Sequence, residues 1–192
     1  MIHKASLTPQ QVEEDFLRVF SFVKQDREEG LIRWADTPYP LMLVWSPRIY
    51  EFLSVMERVM TYHPARGMCR EVGFRSGFDG AREGLRPMGV DEVDRVGALL
   101  AMPRILVGTG WGVSEIEYDD VRDEVAWTFP RGTAVGVAAR NAGRRATPAC
   151  AFVEGFGAGW VKGSLDRSVE FMETACVGMG DPACRFASRP ME

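Results

Sequence analysis

The sequence predicts an α+β fold, with an N-terminal helical and hairpin lobe in residues 1–86 and a mixed α+β domain in residues 87–192. Two observations lead to this prediction. Apolar residues of the first part follow helical spacing on both sides of a short hairpin, whereas the second part mixes short strands with helices. The composition also changes around Pro87, where we place the boundary.

The N-terminal lobe begins with a helix signal. Thr8 suits an N-cap and Pro9 suits the first helical position. The apolar residues that follow with helical spacing are Val12, Phe16, Val19, Phe20 and Val23. Gly30 is expected to end this helix. Residues 32–34 and 41–45 are predicted strands, Ser46-Pro47 starts a second helix, and a third helix is expected over residues 67–84.

The second part is predicted to mix helices and strands. Helices are expected over residues 90–101 and 149–162. The predicted strands are residues 104–107, 113–118, 124–129, 168–176 and 184–187. An acidic hairpin joins the second and third strands, and a glycine-rich turn joins the last two.

The charge balance excludes some partners. Lys and Arg total 23, Asp and Glu total 27, and the net charge is −4. A general nucleic-acid binder needs a basic surface, so no direct nucleic-acid binding is expected. No apolar run reaches the length of a membrane span, and residues 1–8 lack the apolar core of a secretory signal. The expected compartment is the cytoplasm.

A pattern of small residues occurs twice. Gly73-Phe74-x-x-Gly77-Phe78 is echoed by Gly155-Phe156-x-x-Gly159-Trp160. Glycine costs about 1 kcal/mol inside a helix, so a repeated stripe needs a reason. It favours either close helix–helix packing or a helix that runs beside a ligand, with Phe156 and Trp160 as aromatic walls.

Four residues form the strongest candidate site: Cys150, Glu173, Cys176 and Cys184. Three thiolates and a carboxylate can fill the tetrahedral positions of zinc. Side chains three residues apart point to opposite faces of a regular strand, so Glu173 and Cys176 share an ion only if the strand bulges or ends there. The alternative is that these are ordinary buried thiols.

Catalytic patterns are weak. The sequence has no Gly-x-Ser-x-Gly, and its two histidines leave little for a Ser-His-Asp triad. The segment 108–112 is interpreted as a tight turn rather than a dinucleotide loop. Cys69, beside Arg66 and Arg70, is either a reactive thiol of lowered pKa or a packing residue. Trp127 is a better ligand contact, because its indole N–H needs a partner when it is buried.

The C-terminal segment resembles the 4-vinyl reductase-type small-molecule-binding domain. The motifs that carry this resemblance are Pro148-Ala149-Cys150, Gly155-Phe156-x-x-Gly159-Trp160, Glu173-x-x-Cys176 and Gly178-Met179-Gly180-Asp181-x-x-Cys184-Arg185. The first half resembles the N-terminal sensor region of XylR/DmpR-type activators of aromatic catabolism. The motifs there are Glu29-Gly30-Leu31-Ile32, residues 41–44, Ala65-Arg66-Gly67 and Gly73-Phe74-Arg75-Ser76-Gly77.

This resemblance implies a zinc-containing ligand-binding domain. The family's metal positions match Cys150, Glu173, Cys176 and Cys184, and with four protein ligands the zinc would be structural. The resemblance also implies a homodimer and a closed apolar pocket for a small aromatic effector. The matching pocket positions are Trp127, Trp160, Phe171, Val125, Phe156 and Leu106. Phenol-responsive members use a histidine where Leu106 is our best match.

Three functions follow as alternatives. The first is a sensor module that regulates transcription through a linked or partner output domain. The second is a stand-alone enzyme that acts on an aromatic or vinyl-bearing substrate, with Glu154 or Cys69 as its reactive group. The third is an assembly subunit, because fold alone does not determine function. The activators continue beyond the equivalent of Glu192, so the chain is either complete or the sensor part of a longer protein.

Overall fold

The computed structural model describes residues 1–26, 31–34, 40–41, 55–90, 94–141, 143 and 146–190. Its helices are α1 (Pro9–Ser21), α2 (Tyr62–Asp79), α3 (Arg95–Leu100), α4 (Met102–Gly108), α5 (Ala134–Asn141) and α6 (Ala151–Leu165). Its strands are β1 (Ile2–Ala5), β2 (Val23–Asp26), β3 (Leu31–Trp34), β4 (Pro40–Leu41), β5 (Glu115–Asp119), β6 (Glu124–Pro130), β7 (Val169–Ala175) and β8 (Ala183–Pro190). Residues 55–60 are helical, and α2 continues into a π-helical turn, Gly80–Gly84.

Two antiparallel sheets form, which confirms the predicted mixed α+β class. The larger has the strand order β1-β5-β6-β8-β7, and the smaller has the order β2-β3-β4. Strand β1 belongs to the predicted N-terminal lobe but completes the edge of the larger sheet by pairing with β5. The boundary near residue 87 stays a prediction.

Helix α6 lies between the larger sheet and α2, which explains its glycines. A Cβ atom on Gly157 would lie 2.5 Å from the ring of Phe171 on the sheet. On the opposite side, a Cβ on Gly155 would lie 1.9 Å from the carbonyl oxygen of Arg70 on α2. Real Cβ atoms do not approach other atoms so closely, so the glycines are required by backbone contact. The close-packing interpretation of the repeated stripe is therefore confirmed.

The inner face of the larger sheet carries the core. Trp127 on β6 lies opposite Ile116 on β5 and Phe186 on β8. Along β6, buried side chains alternate with less buried ones, as expected for a strand with one covered face. The row beside Trp127 places Phe129 opposite Cys184, so the aromatic core and the cysteines meet on the same face.

Several sequence predictions are confirmed. Thr8 caps α1, with its hydroxyl accepting from the backbone N–H of Gln11 while the Gln11 side chain accepts from the N–H of Thr8. The third predicted helix corresponds to α2, and the hairpins β5–β6 and β7–β8 are present. The predicted residues 42–45 and the helix start at Ser46 lie outside the described residues.

Other predictions were wrong. Helix α1 ends at Ser21, and Val23 begins β2 instead of continuing the helix towards Gly30. Residues 104–107 were predicted as a strand but belong to α4, because Pro103 occupies the start of a helix whose apolar residues are buried on all sides. Helix α5 was not predicted at all. None of the helices within the described ranges is long and apolar enough to cross a membrane.

Candidate metal centre and aromatic core

The four predicted metal ligands converge in the structure. Cys150, Glu173, Cys176 and Cys184 are all buried, and their potential donor atoms lie within 4.8 Å of one another. A zinc–sulfur bond is about 2.3 Å long, so two sulfurs on one ion lie at most about 4.6 Å apart. None of the four cysteines of the chain forms a disulfide. The donor set and its spacing therefore fit a single tetrahedral ion.

The local backbone explains how Glu173 and Cys176 reach the same point. Strand β7 has a register irregularity between Glu173 and Ala175 and ends at Ala175, immediately before Cys176. This is the bulge or strand end that the spacing required. Cys150 immediately precedes the first residue of α6, and Cys184 lies near the start of β8.

Hydrogen bonds from backbone N–H groups hold the ligand side chains. The N–H of Cys150 donates to Oε2 of Glu173 at 3.0 Å, and the N–H of Val177 donates to Sγ of Cys184 at 3.4 Å. Oε1 of Glu173 is buried and has no hydrogen-bond partner among the described residues. A buried oxygen without a partner is costly, and a bound cation would satisfy it.

Proton sharing in the cluster follows from its burial. Desolvation raises the pKa of Cys150 well above its ordinary value, and desolvation together with the neighbouring Cys176 raises the pKa of Glu173 to about 8. The pKa of Cys176 is lowered, because the thiols of Cys150 and Cys184 donate hydrogen bonds to its sulfur. Without a metal, the cluster thus holds protons that a cation would displace.

Trp127 lies in a cluster of aromatic rings. Its ring centroid is 4.3 Å from that of Phe129, 6.0 Å from Phe156, 6.4 Å from Phe171 and 6.1 Å from Phe186. The indole is fully buried, and its Nε1 has no hydrogen-bond partner within the described part of the chain. An N–H donor without an acceptor is rare in a protein interior, and it points to a missing acceptor.

Ser114 is a second buried polar group without a hydrogen-bond partner among the residues described. It directly precedes β5, two residues before Ile116, which pairs with Trp127. Side chains two residues apart share one face of a strand, so Ser114 is placed on the same inner face as Trp127. Sequence analysis missed this residue, since a lone serine carries no distinguishing pattern.

The other predicted ligand residues are all buried in the same core cluster: Val125, Phe156, Trp160, Phe171 and Leu106. Their surroundings differ, however. Nε1 of Trp160 donates to the backbone carbonyl of Leu99 at 3.3 Å, so this indole is already satisfied. Leu106 lies on helix α4 rather than on the predicted strand.

The rings are in contact, and an open cleft of about 510 Å³ lies elsewhere. It is lined by residues of β1, the following loop, α1, α3 and α4, among them Lys4, Gln11 and Leu100. At this cleft, Arg104 donates side-chain hydrogen bonds through Nε and Nη2 to the buried carboxylate of Asp15. The cleft contains none of the predicted ligand residues.

The weaker catalytic candidates have structural explanations. Cys69 is buried, and desolvation raises the pKa of its thiol, opposite to the lowered pKa of a reactive cysteine. Glu154 is 1% exposed and forms ion pairs with Arg66 and Arg70. Gly110 and Gly112 have positive φ angles of 82° and 97°, which agrees with a tight turn at 108–112.

An antiparallel sheet, a buried glycine-rich helix and a Cys₃Glu cluster are features that the chain shares with a known family. Residues 137–190 match the family model of the vinyl-4-reductase domain, so the C-terminal part of the chain carries this domain. The predicted resemblance to the 4-vinyl reductase-type domain is thereby confirmed. A comparison of the sequence with curated proteins gives no match.

Solved structures show the same fold over most of the chain. The phenol-responsive sensory domain of the transcription activator PoxR, in a crystal structure with phenol, matches with a TM-score of 0.75 and 18% identity, over 96% of this chain and 92% of that one. A trafficking protein particle complex subunit 3 from Naegleria fowleri, covalently bound to palmitic acid, matches with a TM-score of 0.55 and 13% identity, over 77% of this chain and 95% of that one. A vinyl-4-reductase family protein from Methanocaldococcus jannaschii has a TM-score of 0.42 and 14% identity, over 79% of this chain and 98% of that one.

Proposed function

We propose that this chain is a sensor module that binds a small aromatic effector in its interior, beside Trp127, and regulates transcription through a linked or partner output domain. The observation that carries the proposal is the fully buried Nε1 of Trp127, which has no hydrogen-bond acceptor among the described residues. It lies inside a cluster of phenylalanine rings. An aromatic ligand with an oxygen atom supplies both the apolar surface and the acceptor that this environment lacks.

The class of ligand follows from the two unsatisfied groups. Trp127 can only donate a hydrogen bond, whereas the hydroxyl of Ser114 can donate or accept. A phenolic hydroxyl accepts from the first and donates to the second. The fold shared with the sensory domain of PoxR, whose structure contains phenol, supports this class of ligand. Leu106 contributes only apolar contact, so Ser114 takes the role of second polar group.

Binding changes the structure because the rings fill the space. Phe156, on α6, contacts Trp127, Trp111 and Trp160 with centroid distances of 6.0, 5.4 and 5.9 Å. A ligand that enters must move Phe156 or its neighbours and thereby α6. Since the backbones of α6 and α2 are in direct contact at Gly155 and Gly159, a shift of α6 reaches the N-terminal lobe. Ligand binding would thus select one of two seatings of α2.

The proposal includes a structural zinc ion held by Cys150, Glu173, Cys176 and Cys184. The support is the buried donor set within 4.8 Å and the unsatisfied Oε1 of Glu173. Bound zinc would fix the start of α6 to the β7–β8 hairpin. These residues occupy all four positions, which leaves no open position for chemistry on a substrate.

The proposal also includes a cytoplasmic homodimer that forms through the N-terminal lobe. Its support is an apolar face on α1, where Phe16, Leu17 and Phe20 are 44%, 62% and 56% exposed. Exposed apolar side chains grouped in this way are typical of interaction surfaces. Leu17→Glu is expected to convert a dimer into a monomer in light-scattering chromatography, and an unchanged mass would remove α1 from the interface.

Calorimetric titration with phenol and toluene tests the effector proposal. The two probes have similar size, but only phenol has an oxygen that can accept from Trp127. We expect phenol to bind more tightly, and Trp127→Phe to remove most of the difference. Trp34→Phe, in the smaller sheet, is the matched control and should preserve it. No heat of binding for phenol with the folded wild-type chain would contradict the proposal.

The alternative is an assembly subunit with a purely apolar interior. The fold shared with the trafficking complex subunit, whose structure holds palmitic acid, favours this alternative. An alkyl chain, however, would leave the N–H of Trp127 without an acceptor among the described residues. Tight binding of palmitate without binding of phenol would favour the assembly subunit.

A further inference from the structure

Glu154 connects the candidate metal centre to the N-terminal lobe. Its Oε1 accepts a hydrogen bond from the backbone N–H of the metal-ligand candidate Glu173 at 2.8 Å. The same oxygen accepts from the guanidinium of Arg66, which lies on α2. Glu154 is 1% exposed, so this carboxylate is held by protein groups rather than by solvent.

Arg66 holds the chain on both sides of Cys150. Its guanidinium donates to the carbonyl oxygen of Pro148 at 3.0 Å, two residues before the cysteine. On the other side, the N–H of Glu154 donates to the carbonyl of Cys150 at 3.0 Å. One arginine of α2 therefore contacts the segment that carries one ligand and, through Glu154, the backbone of a second.

The close approach of the two helices makes these contacts possible. The carbonyl of Arg70 lies where a side chain on Gly155 would be, so α2 is seated directly against α6. Arg70 adds a second positive charge, with its Nε 3.7 Å from Oε2 of Glu154. A buried carboxylate that loses its partner is strongly unfavourable, so Glu154 must move if α2 moves.

We infer that Arg66 and Glu154 are positioning residues that couple metal binding to the seating of α2. The inference rests on the proposed metal site. When α2 is seated, Glu154 holds the backbone of Glu173, and the N–H of Cys150 holds the Glu173 carboxylate. When α2 moves, both ligand segments lose their alignment. Because coupling is reciprocal, metal binding also stabilises the seated position of α2.

Zinc affinity is the first test, measured by competition with a chromophoric chelator. Outer contacts of metal ligands typically contribute about 10-fold to 100-fold to affinity, and we expect a loss in this range for Arg66→Met. Arg75→Met is the matched control, because Arg75 lies on the same helix but pairs with the exposed Glu71. The control should bind zinc like the wild type.

Two further readouts separate positioning from plain stability. Cobalt bound to Arg66→Met should show a weakened tetrahedral absorption band, because the Glu173 ligand is misaligned. Hydrogen exchange in α2 should slow when zinc is added to the wild-type chain but not when it is added to Arg66→Met. A variant that affects only folding would change neither signal once it is folded.

The outcomes are distinct. If wild-type protein binds no zinc or cobalt, the proposed metal site is wrong. If it binds metal and Arg66→Met binds with the same affinity and cobalt spectrum, the coupling is wrong while the metal site stands. Where Arg66→Met does not fold, Arg66→Lys decides, because it keeps a positive charge beside Glu154 but loses the planar donor pair. Reduced zinc affinity of Arg66→Lys supports the inference, and wild-type affinity overturns it.

Discussion

The carbonyl oxygen of Phe74 occupies the space where a side chain on Gly159 would begin, with a distance of 1.9 Å to an ideal Cβ. Gly77 has the reciprocal relationship with the carbonyl of Phe156, at 2.0 Å. The two glycine stripes thus interlock, and each leaves room for the backbone of the other helix. This interface connects the sheet-facing helix α6 to the N-terminal lobe.

Gly159→Ala is therefore expected to destabilise the protein strongly. The added methyl group meets backbone rather than a movable side chain, so the helices must separate, at a cost of about 3 kcal/mol or more in the free energy of unfolding. Gly67→Ala on α2 is the control, because no atom lies within 4 Å of its Cβ. It should stabilise by about 1 kcal/mol. Urea unfolding measures both, and similar stabilities of the two variants would disprove the interlock.

Trp127→Phe and Trp160→Phe compare two buried indoles. Both remove the same atoms from the core, but only Trp160 loses a hydrogen bond, from Nε1 to the carbonyl of Leu99. Without ligand, Trp160→Phe should destabilise by about 1 to 3 kcal/mol more than Trp127→Phe, because it leaves the carbonyl unsatisfied. Denaturant titration of the ligand-free variants measures this difference. An equal loss would mean that Trp127 has an acceptor in the free protein.

Cys176→Ser tests the structural role of the metal. We expect it to release zinc and to unfold the C-terminal half. At a zinc concentration about 1,000 times Kd, binding contributes about 4 kcal/mol to stability, and the variant should lose this contribution. Thermal unfolding and metal analysis measure the effect. Cys69→Ser, outside the cluster, should keep its zinc, and an unchanged melting temperature of Cys176→Ser would refute the structural zinc.

Zinc affinity should rise with pH. The pKa of Glu173 is raised to about 8 and that of Cys150 lies well above its ordinary value, in both cases mainly through burial. At neutral pH these groups hold protons in the metal-free protein, and zinc must displace them. Titration calorimetry in buffers of different ionisation enthalpy should report proton release. Affinity independent of pH between about 6 and 8 would contradict this protonation pattern.

Cys69 should be unreactive in the native protein. Burial raises the pKa of its thiol, so little thiolate is present near neutral pH, and alkylation by iodoacetamide should be slow. In urea the same thiol should react at the rate of an ordinary cysteine. Rapid labelling of Cys69 in the folded chain would restore the enzyme alternative that relies on it.

Local signals predicted much of the fold. The Thr8-Pro9 cap, the acidic hairpin and the glycine-rich turn each depend on a few neighbouring residues, and each has the expected structure. Where two structures share the same local pattern, prediction failed. Residues 104–107 are apolar and β-branched in part, and burial on all sides by tertiary neighbours decides for helix α4.

The candidate site was predicted in part for the same reason. Cys150, Glu173, Cys176 and Cys184 stand out by residue type, and the required bulge after Glu173 follows from strand geometry. The contacts of Arg66 with Glu154 and the burial of Ser114 depend on how distant segments pack. No spacing in the sequence reveals such contacts.

The most direct test of the central claim is the indole N–H signal of Trp127 in a ¹H–¹⁵N spectrum. The chain has 5 tryptophans, and the spectrum of Trp127→Phe identifies the signal by its loss. If the effector oxygen accepts from Nε1, saturating phenol should shift this proton downfield, and toluene should not. A Trp127 signal that keeps the same position with phenol and with toluene, in a folded protein, would contradict the account.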